Sequence, residues 1–176
     1  RGQILDRNGA RLALSTPADD VYADPQLVDD PWATATSLSP LLGVGVPDLV
    51  HAMTSEGTFV YLARHLGRGV SDRIQRLALP GIGLLPTSTR SYPAGSLASQ
   101  VLGFVGTDGV GLTGLELGYQ DVLAGTPGER TNEPGLSGQA IVRGVDEERA
   151  PVAGASVVTA IDRELQCQAQ AAREQA

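Results

Sequence analysis

The sequence lacks lysine altogether and has one cysteine, and both shortages narrow the chemistry open to it. All 13 basic residues are arginines, so every mechanism that depends on a lysine amine is excluded. The single cysteine, Cys167, can form neither an internal disulfide nor a cysteine-rich metal site. We expect Cys167 to be a small, semi-buried apolar residue.

Histidines and aromatic residues are also few. The only histidines, His51 and His65, do not lie at metal-ligand spacing with Cys, Asp or Glu, so we expect no metal site. No G-x-S-x-G sequence is present, which argues against a serine-hydrolase triad. Four tyrosines, two phenylalanines and one tryptophan offer few rings for stacking, which counts against a binder of glycan strands.

The chain has neither a long apolar run nor an excess of positive charge. No apolar run approaches the roughly 18 residues of a membrane span, and no signal peptide is visible. Arg1 is an improbable natural start, so we expect that an upstream segment has been cut away. The formal net charge of -7 repels polyanions, so nucleic acid is not an expected partner.

Glycine and proline, by contrast, are abundant. With 22 Gly and 11 Pro in 176 residues, we expect many turns and few long helices. A chain of this length forms one domain, or two small subdomains that share a core. The mixture of strand-like and helix-like segments predicts a loop-rich α+β fold.

The first segment predicts a β-hairpin. Apolar residues flank Asn8-Gly9, the pair that best tolerates the positive φ angles of a two-residue turn. That register places Leu5 opposite Leu12, so that both leucines face a core. It also places Asp6 opposite Arg11 as a cross-strand ion pair.

Further elements follow from capping residues and apolar spacing. We predict helices that begin at Pro31 and near Pro47, a strand at 59–66, and a helix with Ser71 as its N-cap that ends at Pro80-Gly81. After an extended run at 82–95 we predict a helix from Ser96, and then a helix with Leu112, Leu115, Tyr119, Val122 and Leu123 on one face. One or two hairpins over 126–154, a strand at 155–162 and a helix capped by Asp162 complete the chain.

A glycine pattern supports a competing hypothesis, a dinucleotide-binding enzyme domain. Gly109, Gly111 and Gly114 form a G-x-G-x-x-G sequence that opens a predicted helix. Against this, the stretch before it is a poor buried strand, and no second parallel strand that ends in an acidic residue follows. Close helix packing and a turn are the structural explanation of the same glycines.

Three short stretches together resemble one protein family. "RGQILDRNGARLA", "RSYPAG" and "GLTGLE" have the order and separations typical of the non-catalytic N-terminal module of class B penicillin-binding proteins, often called the dimerisation or pedestal domain. "TAIDRELQ" is similar to the segment that leads into their transpeptidase domain, although Ala160 stands where the family usually has Thr. "LASQVLGFVGTDGVGLTGLE" looks more like the septal, cell-division branch than the elongation branch.

The resemblance implies a fold and a domain arrangement. The fold is an elongated α+β pedestal with long twisted β-hairpins and a small head subdomain of helices and strands. Residues 1–161 would form this pedestal, with the head at about 25–90. Residues 162–176 would begin the linker and first helix toward a transpeptidase domain outside this chain.

The resemblance also implies a function. The family's transpeptidase domain uses Ser-x-x-Lys and Lys-Thr-Gly motifs, which a chain without lysine cannot contain, so we expect no catalysis here. The expected role is a spacer that positions the transpeptidase domain and docks a membrane glycan polymerase of the SEDS class and division regulators. The resemblance implies no cofactor and leaves a homodimer open. It implies the outer face of the bacterial cytoplasmic membrane, with an upstream helix as the anchor.

The motif residues are expected to be structural or interdomain residues, because in the family the three motifs pack together near the junction of pedestal and catalytic domain. We expect their charges to form a buried or half-buried network in which Glu116 accepts from an arginine of the first or second motif. The motif residues are Arg1, Gly2, Asp6, Arg7, Gly9, Arg90, Tyr92, Pro93, Gly95, Gly111, Gly114, Leu115 and Glu116.

Overall fold

Strands and helices are mixed along the part of the chain that the computed structural model describes, residues 1–131 and 147–174. The strands there are β1 (Ile4–Leu5), β2 (Arg11–Ala23), β3 (Val60–Gly67), β4 (Ile82–Ser91), β5 (Glu129–Thr131), β6 (Glu147–Arg149) and β7 (Val157–Val158). The helices there are α1 (Pro31–Leu42), α2 (Val46–Met53), α3 (Arg68–Leu77), α4 (Ser99–Leu102), α5 (Gly114–Gly118), α6 (Gln120–Leu123) and α7 (Arg163–Glu174). Among these helices none combines the length and the hydrophobicity of a membrane span. The expected α+β class is confirmed.

The chain divides into two compact units, each with its own hydrophobic core. The terminal unit consists of Arg1–Ser15 and Arg90–Ala176, and the central unit consists of Thr16–Thr89. Strands β2 and β4 contribute residues to both units, and β4 pairs with β2. The two cores share no residue.

In the central unit, three helices and three strands enclose an aliphatic core. The end of β2 pairs antiparallel with β3, with Tyr22 opposite Tyr61. Helix α1 starts where the sequence predicts, because the carboxylate of Asp30 accepts hydrogen bonds from the first free backbone N–H groups. It ends at Gly43, whose φ of 68° is left-handed. The fully buried core side chains here include Val21, Leu38, Leu49 and Met53.

The expected N-cap of the third helix is wrong. Helix α3 begins at Arg68, and Ser71 lies buried inside it. The Ser71 hydroxyl donates to the carbonyl of Gly67, 3.4 Å away, one turn back in the chain. A serine can satisfy its hydroxyl in this way within a helix as well as at its start, which makes the sequence signal ambiguous.

In the terminal unit, β1 lies between two partners. It pairs antiparallel with the start of β2 and parallel with β7. The core beneath these strands is formed by Ile4, Leu12, Ala13, Ala98, Leu102 and Leu123. The second short sheet, β5 with β6, is antiparallel, and residues 132–146 of the predicted hairpin region lie outside the described residues.

The first hairpin has a different turn from the one that Asn8-Gly9 predicts. The backbone N–H of Asp6 donates to the carbonyl of Ala10, so the loop has three residues instead of two. Of the loop residues only Gly9 has a positive φ, 84°, as in a type I turn followed by a bulge. The longer loop changes the register, so Leu5 faces Arg11 instead of Leu12, and the expected pair of Asp6 with Arg11 is absent from β1 and β2.

The single amphipathic helix expected over α5 and α6 is also wrong. The helix is interrupted at Tyr119, whose φ is -114°. Leu112, Tyr119 and Val122 are exposed, whereas Glu116 and Leu123 are fully buried. The apolar spacing does not predict the buried face correctly, because this segment buries the carboxylate of Glu116 instead of those three side chains.

Two smaller expectations fail as well. Helix α4 begins at Ser99 and not at Ser96, because Ala98 has a left-handed φ of 53° that a continuous helix cannot contain. Cys167 is exposed on α7 rather than semi-buried. The start of α7 is confirmed, since the Asp162 carboxylate accepts from the N–H groups of Glu164 and Leu165.

We expect the core of the central unit to be sensitive to truncation at Leu38. The Leu38→Ala variant should lose about 2–5 kcal/mol of unfolding free energy, because the side chain is fully buried and leaves a cavity. The matched variant Leu77→Ala removes an exposed leucine from α3 and should cost less than about 1 kcal/mol. Urea denaturation measures both values, and equal losses would contradict this core.

Candidate functional site: a buried Arg–Glu–Arg network

The centre of the site is the carboxylate of Glu116 in the short helix α5. Its oxygen Oε2 accepts from Nε of Arg1 and its oxygen Oε1 from Nε of Arg90, both at 2.8 Å. The side-chain exposures of Arg1, Arg90 and Glu116 are 7%, 3% and 0%. The contact expected between Glu116 and one arginine is therefore present twice, and it joins residues from all three sequence motifs.

The guanidinium group of Arg1 is held by further acceptors around α5 and α6. Its Nη2 donates to the backbone carbonyl of Glu116 at 2.8 Å, and its Nη1 donates to Oε1 of Gln120 at 2.8 Å and to the carbonyl of Gly109 at 3.2 Å. Gln120 also accepts from the N–H of Gly111 at 2.8 Å. Gln120 was not among the predicted site residues. It follows Glu116 by four residues, a spacing at which side chains on a helix are neighbours, and this spacing is the signal in the sequence that points to it.

Arg90 connects the carboxylate to the first strand pair. Its Nη1 donates to the carbonyl of Gly2 at 2.7 Å and to the Ser15 hydroxyl at 3.3 Å. The hydroxyl of Tyr92 reaches the same carboxylate oxygen of Glu116 at 3.4 Å. Burial, together with the negative charge of Glu116, raises the pKa of Tyr92. Tyr92 therefore remains a neutral donor in this network.

The glycines of the third motif are required by close backbone contact. A Cβ atom at Gly111 would overlap the carbonyl group of Glu116. Gly114 has a φ of 58°, and a Cβ atom there would overlap the carbonyl oxygen of Val101. Only glycine lets α5 approach closely enough for the Glu116 side chain to reach both arginines.

The dinucleotide-binding alternative for Gly109, Gly111 and Gly114 is wrong. A dinucleotide site needs a parallel strand, a glycine turn and a long helix with free N–H groups. Here Gly111 instead forms an antiparallel bridge with Val105, and α5 has only five residues. The Gly111 N–H is already bound by a side chain of the protein. The glycines serve packing and a turn.

Asp6 and Arg7 lie outside the Glu116 network, and the expectation of one shared charge network is wrong for them. Oδ1 of Asp6 accepts from the N–H groups of Asn8 and Ala10 at 2.8 and 2.7 Å. Its Oδ2 accepts from the N–H of Arg163 at 3.2 Å. Burial raises the pKa of Asp6, but the hydrogen bonds from these three N–H groups lower it by more. The pKa of Asp6 is therefore below its ordinary value.

Arg7, which is exposed, also connects the first hairpin to the segment just before α7. Its Nε and Nη2 both donate to the carbonyl of Ala160, at 3.1 and 2.8 Å, and its N–H donates to Ile161. Because the guanidinium group binds a backbone carbonyl, the alanine that replaces the family's usual threonine does not remove this contact. Together Asp6 and Arg7 hold residues 160–163, where α7 begins.

The remaining motif residues have supporting positions. Pro93 lies in a turn closed by the N–H of Gly95 and the carbonyl of Tyr92 at 2.9 Å, and Gly95 has a φ of 61°. Leu115 packs against the core of the terminal unit. A Cβ atom at Gly2 would overlap the carbonyl group of Ala155. Whether any of these residues contacts another domain stays a prediction.

We expect removal of the central carboxylate to destabilise the protein strongly. The Glu116→Ala variant leaves two buried arginines without their partner, which should cost about 3–5 kcal/mol of unfolding free energy. Asp121→Ala removes an exposed carboxylate from the neighbouring helix and should cost less than about 1 kcal/mol. Denaturant unfolding compares the two, and a loss below about 1 kcal/mol for Glu116→Ala would contradict the buried network.

The Asp6 contacts predict a pH dependence of stability. Because folding lowers the pKa of Asp6, its contribution is complete above about pH 4 and is lost as the pH falls through the folded-state pKa. Unfolding free energy measured from neutral to acidic pH should therefore fall less steeply in Asp6→Asn than in the wild type. Asp121→Asn controls for the change in net charge, and a wild-type slope in Asp6→Asn would refute the assignment.

Comparison with known proteins agrees with these observations. The family model described as the Penicillin-binding Protein dimerisation domain matches residues 1–159. The peptidoglycan D,D-transpeptidase FtsI of Escherichia coli (strain K12) is 36% identical over 137 residues, which are 74% of this chain and 23% of the relative. The chain spans about a quarter of the length of the curated relatives it matches first.

Solved structures show the same fold. A peptidoglycan synthetase from Bifidobacterium adolescentis aligns with a TM-score of 0.63 at 27% identity, covering 97% of this chain and 36% of that one. The penicillin-binding protein PBP2 of Helicobacter pylori, solved in complex with MreC, aligns with a TM-score of 0.74 at 23% identity, covering 99% and 37%. The match of nearly the whole chain, together with the convergence of the three motifs on Glu116, shows that this chain belongs to the penicillin-binding protein dimerisation domain family.

Proposed function

We propose that this chain is the non-catalytic pedestal of a membrane-anchored peptidoglycan D,D-transpeptidase, and that it holds the catalytic domain in position. The observation that carries this proposal is the pair of networks in the terminal unit. One network fixes Arg1 and Gly2 to α5, and the other fixes the first hairpin to residues 160–163. Since the chain covers only about a quarter of these relatives, we propose that the pedestal joins the rest of a longer parent protein beside these two networks.

The chemistry of the site supports a structural role. The Glu116 side chain is fully buried and both of its carboxylate oxygens bind arginines, so a substrate cannot reach this group for it to act as a general base. The lysine that the family's transpeptidase motifs require does not occur anywhere in the chain. We therefore assign catalysis to the part of the parent protein outside this sequence and propose that this fragment has no activity of its own.

A second part of the proposal is partner docking. We propose that the pedestal binds a SEDS-type glycan polymerase and division regulators, with a septal role preferred because FtsI proteins are among the relatives. The solved Helicobacter pylori relative in complex with MreC supports the use of this fold for regulator binding. A homodimer remains the alternative that the family's name suggests.

One surface of the central unit suits such a partner. The stretch 31–47 contains no charged residue, and Trp32 at its start is 61% exposed. Arg73 and Arg76 of α3 line a groove with Leu41 of α1 beside it. Interface cores are depleted in charge and enriched in tryptophan and arginine, which supports docking of a regulator here.

The proposed location is the outer face of the bacterial cytoplasmic membrane. It rests on the named activity of the relatives, peptidoglycan transpeptidation, whose substrate is the cell wall. The proposed anchor is a helix upstream of Arg1, as the family resemblance implies.

We expect Arg7→Ala in the parent protein to separate positioning from folding. Arg7 is exposed, so its loss should leave protein abundance and penicillin labelling close to the wild type while cell division fails, because the start of α7 is no longer held. The measurements are protein level, labelling by a fluorescent penicillin and cell length. Arg11→Ala is the matched control, since it removes another exposed arginine of the first motif.

The division phenotypes of Arg7→Ala and Glu116→Ala distinguish positioning from folding and from activation. Normal division with Arg7→Ala would overturn the positioning role of the first hairpin. Glu116→Ala should lower the protein level itself, because it removes a buried partner. Abundant Glu116→Ala protein that labels with penicillin but does not support division would show that the network transmits activation instead of maintaining the fold.

A further inference from the structure

Three of the chain's seven aromatic rings come together in the central unit, two on the paired strands β2 and β3 and one, Phe59, just before β3. The rings of Tyr22 and Phe59 are stacked, with centroids 5.0 Å apart and planes inclined by 23°. Phe59 meets Tyr61 edge to face, with centroids 4.8 Å apart. Tyr22 and Tyr61 are direct cross-strand partners, so the sheet register itself assembles this set. We call Tyr22, Phe59, Tyr61 and Arg64 the aromatic row.

The row is held firmly at its inner end. A Cβ atom at Gly83 would overlap the ring of Tyr22, which means that this ring lies directly on the backbone of β4. Because the Tyr22 ring is in contact with the backbone of β4, it cannot move closer to that strand. Phe59 stacks on its outer side. The rings therefore form a preorganised surface, which lowers the entropic cost of binding a ligand.

Arg64 provides a cation at the outer end. Its guanidinium carbon lies 4.8 Å from the centroid of the Tyr61 ring. The buried carboxylate of Asp20 fixes it in that place by accepting from Nε at 3.3 Å, and accepts from the N–H of His65 at 2.7 Å as well. Within the described residues the two Nη groups of Arg64 make no hydrogen bond, so they are available to an acceptor outside the chain.

Exposure distinguishes this row from ordinary strand packing. Cross-strand stacking accounts for the adjacency of the rings, but it does not require them to face solvent. Phe59 is 47% exposed and Tyr61 is also exposed. Apolar side chains exposed side by side mark a binding surface more often than isolated ones do. A planar guanidinium beside them selects a ligand that has both apolar faces and acidic groups.

We propose that the aromatic row binds the glycan strand of peptidoglycan, a linear amino-sugar polymer that carries carboxylates. Pyranose rings have faces of C–H groups that bury apolar area against aromatic rings. The hydroxyl groups of the sugars and the carboxylates of the peptides attached to the strand can hydrogen-bond to Arg and Tyr side chains. This proposal rests on the proposed role in peptidoglycan synthesis and adds a contact with the polymer itself. The bound glycan strand would lie along β3, from Phe59 toward Arg64.

The test is a titration of the whole 176-residue chain, followed by NMR amide shifts. The probes are soluble uncrosslinked peptidoglycan strands and the neutral oligosaccharide tetra-N-acetylchitotetraose. We expect both probes to shift the amides of Tyr22, Phe59 and Tyr61. Phe59→Ala should weaken both about tenfold, whereas Phe104→Ala should leave both unchanged. Phe104 is the matched control, because it is the other phenylalanine of the chain and is 53% exposed.

The charged end of the row has its own control. Arg64→Gln should weaken the carboxylate-bearing strands and leave the neutral oligosaccharide unchanged. The proposal is overturned if neither probe shifts the row, if Phe104→Ala loses as much affinity as Phe59→Ala, or if Phe59→Ala loses a division regulator while saccharide binding stays intact. Any of these results leaves the pedestal function untouched, because that function is tested at Arg7 and Glu116 in the terminal unit.

Discussion

The terminal unit depends on one buried carboxylate that two arginines share. A lone charged Glu116 in this position would be very costly, and so would either arginine without it. Buried ion pairs of this kind contribute little net stability compared with apolar side chains, but they fix geometry, because both partners must arrive in the correct orientation. Arg1, Arg90 and Glu116 come from three distant parts of the chain, so the network permits only one arrangement of those parts.

This constraint also accounts for residues that carry no charge. The carboxylate can reach both guanidinium groups only if α5 lies directly against neighbouring backbone, which excludes a side chain at Gly111 and Gly114. The helix is broken at Tyr119, and Gln120 follows at once to complete the shell around Arg1. The glycine spacing that imitates a nucleotide-binding loop is thus a consequence of packing around a buried ion network.

Two helix caps were predictable from the sequence, whereas other local features and the long-range contacts were not. The starts of α1 and α7 follow from Asp30 and Asp162, each of which bonds to N–H groups two or three residues ahead. The turn of the first hairpin was predicted wrongly because the Asp6 carboxylate accepts hydrogen bonds both within the loop and from the distant Arg163. The contact with Arg163 cannot be predicted from neighbouring residues. The contact of Glu116 with arginine was expected only through the family resemblance. The apolar spacing around it predicted a buried face that includes Leu112, Tyr119 and Val122, which the structure leaves exposed.

For the aromatic residues, composition gives their number but not where the fold places them. Seven rings in 176 residues argue against a glycan binder if the rings are distributed at random. The register that places Tyr22 opposite Tyr61 brings three of the rings together. Because Gly83 has no side chain, the Tyr22 ring can lie against the backbone of β4. Binding depends on the local density of rings and on the cation beside them, and both are set by strand pairing. A residue type that is scarce in the composition can therefore still be concentrated on one surface, as the aromatic row proposed here for glycan binding is.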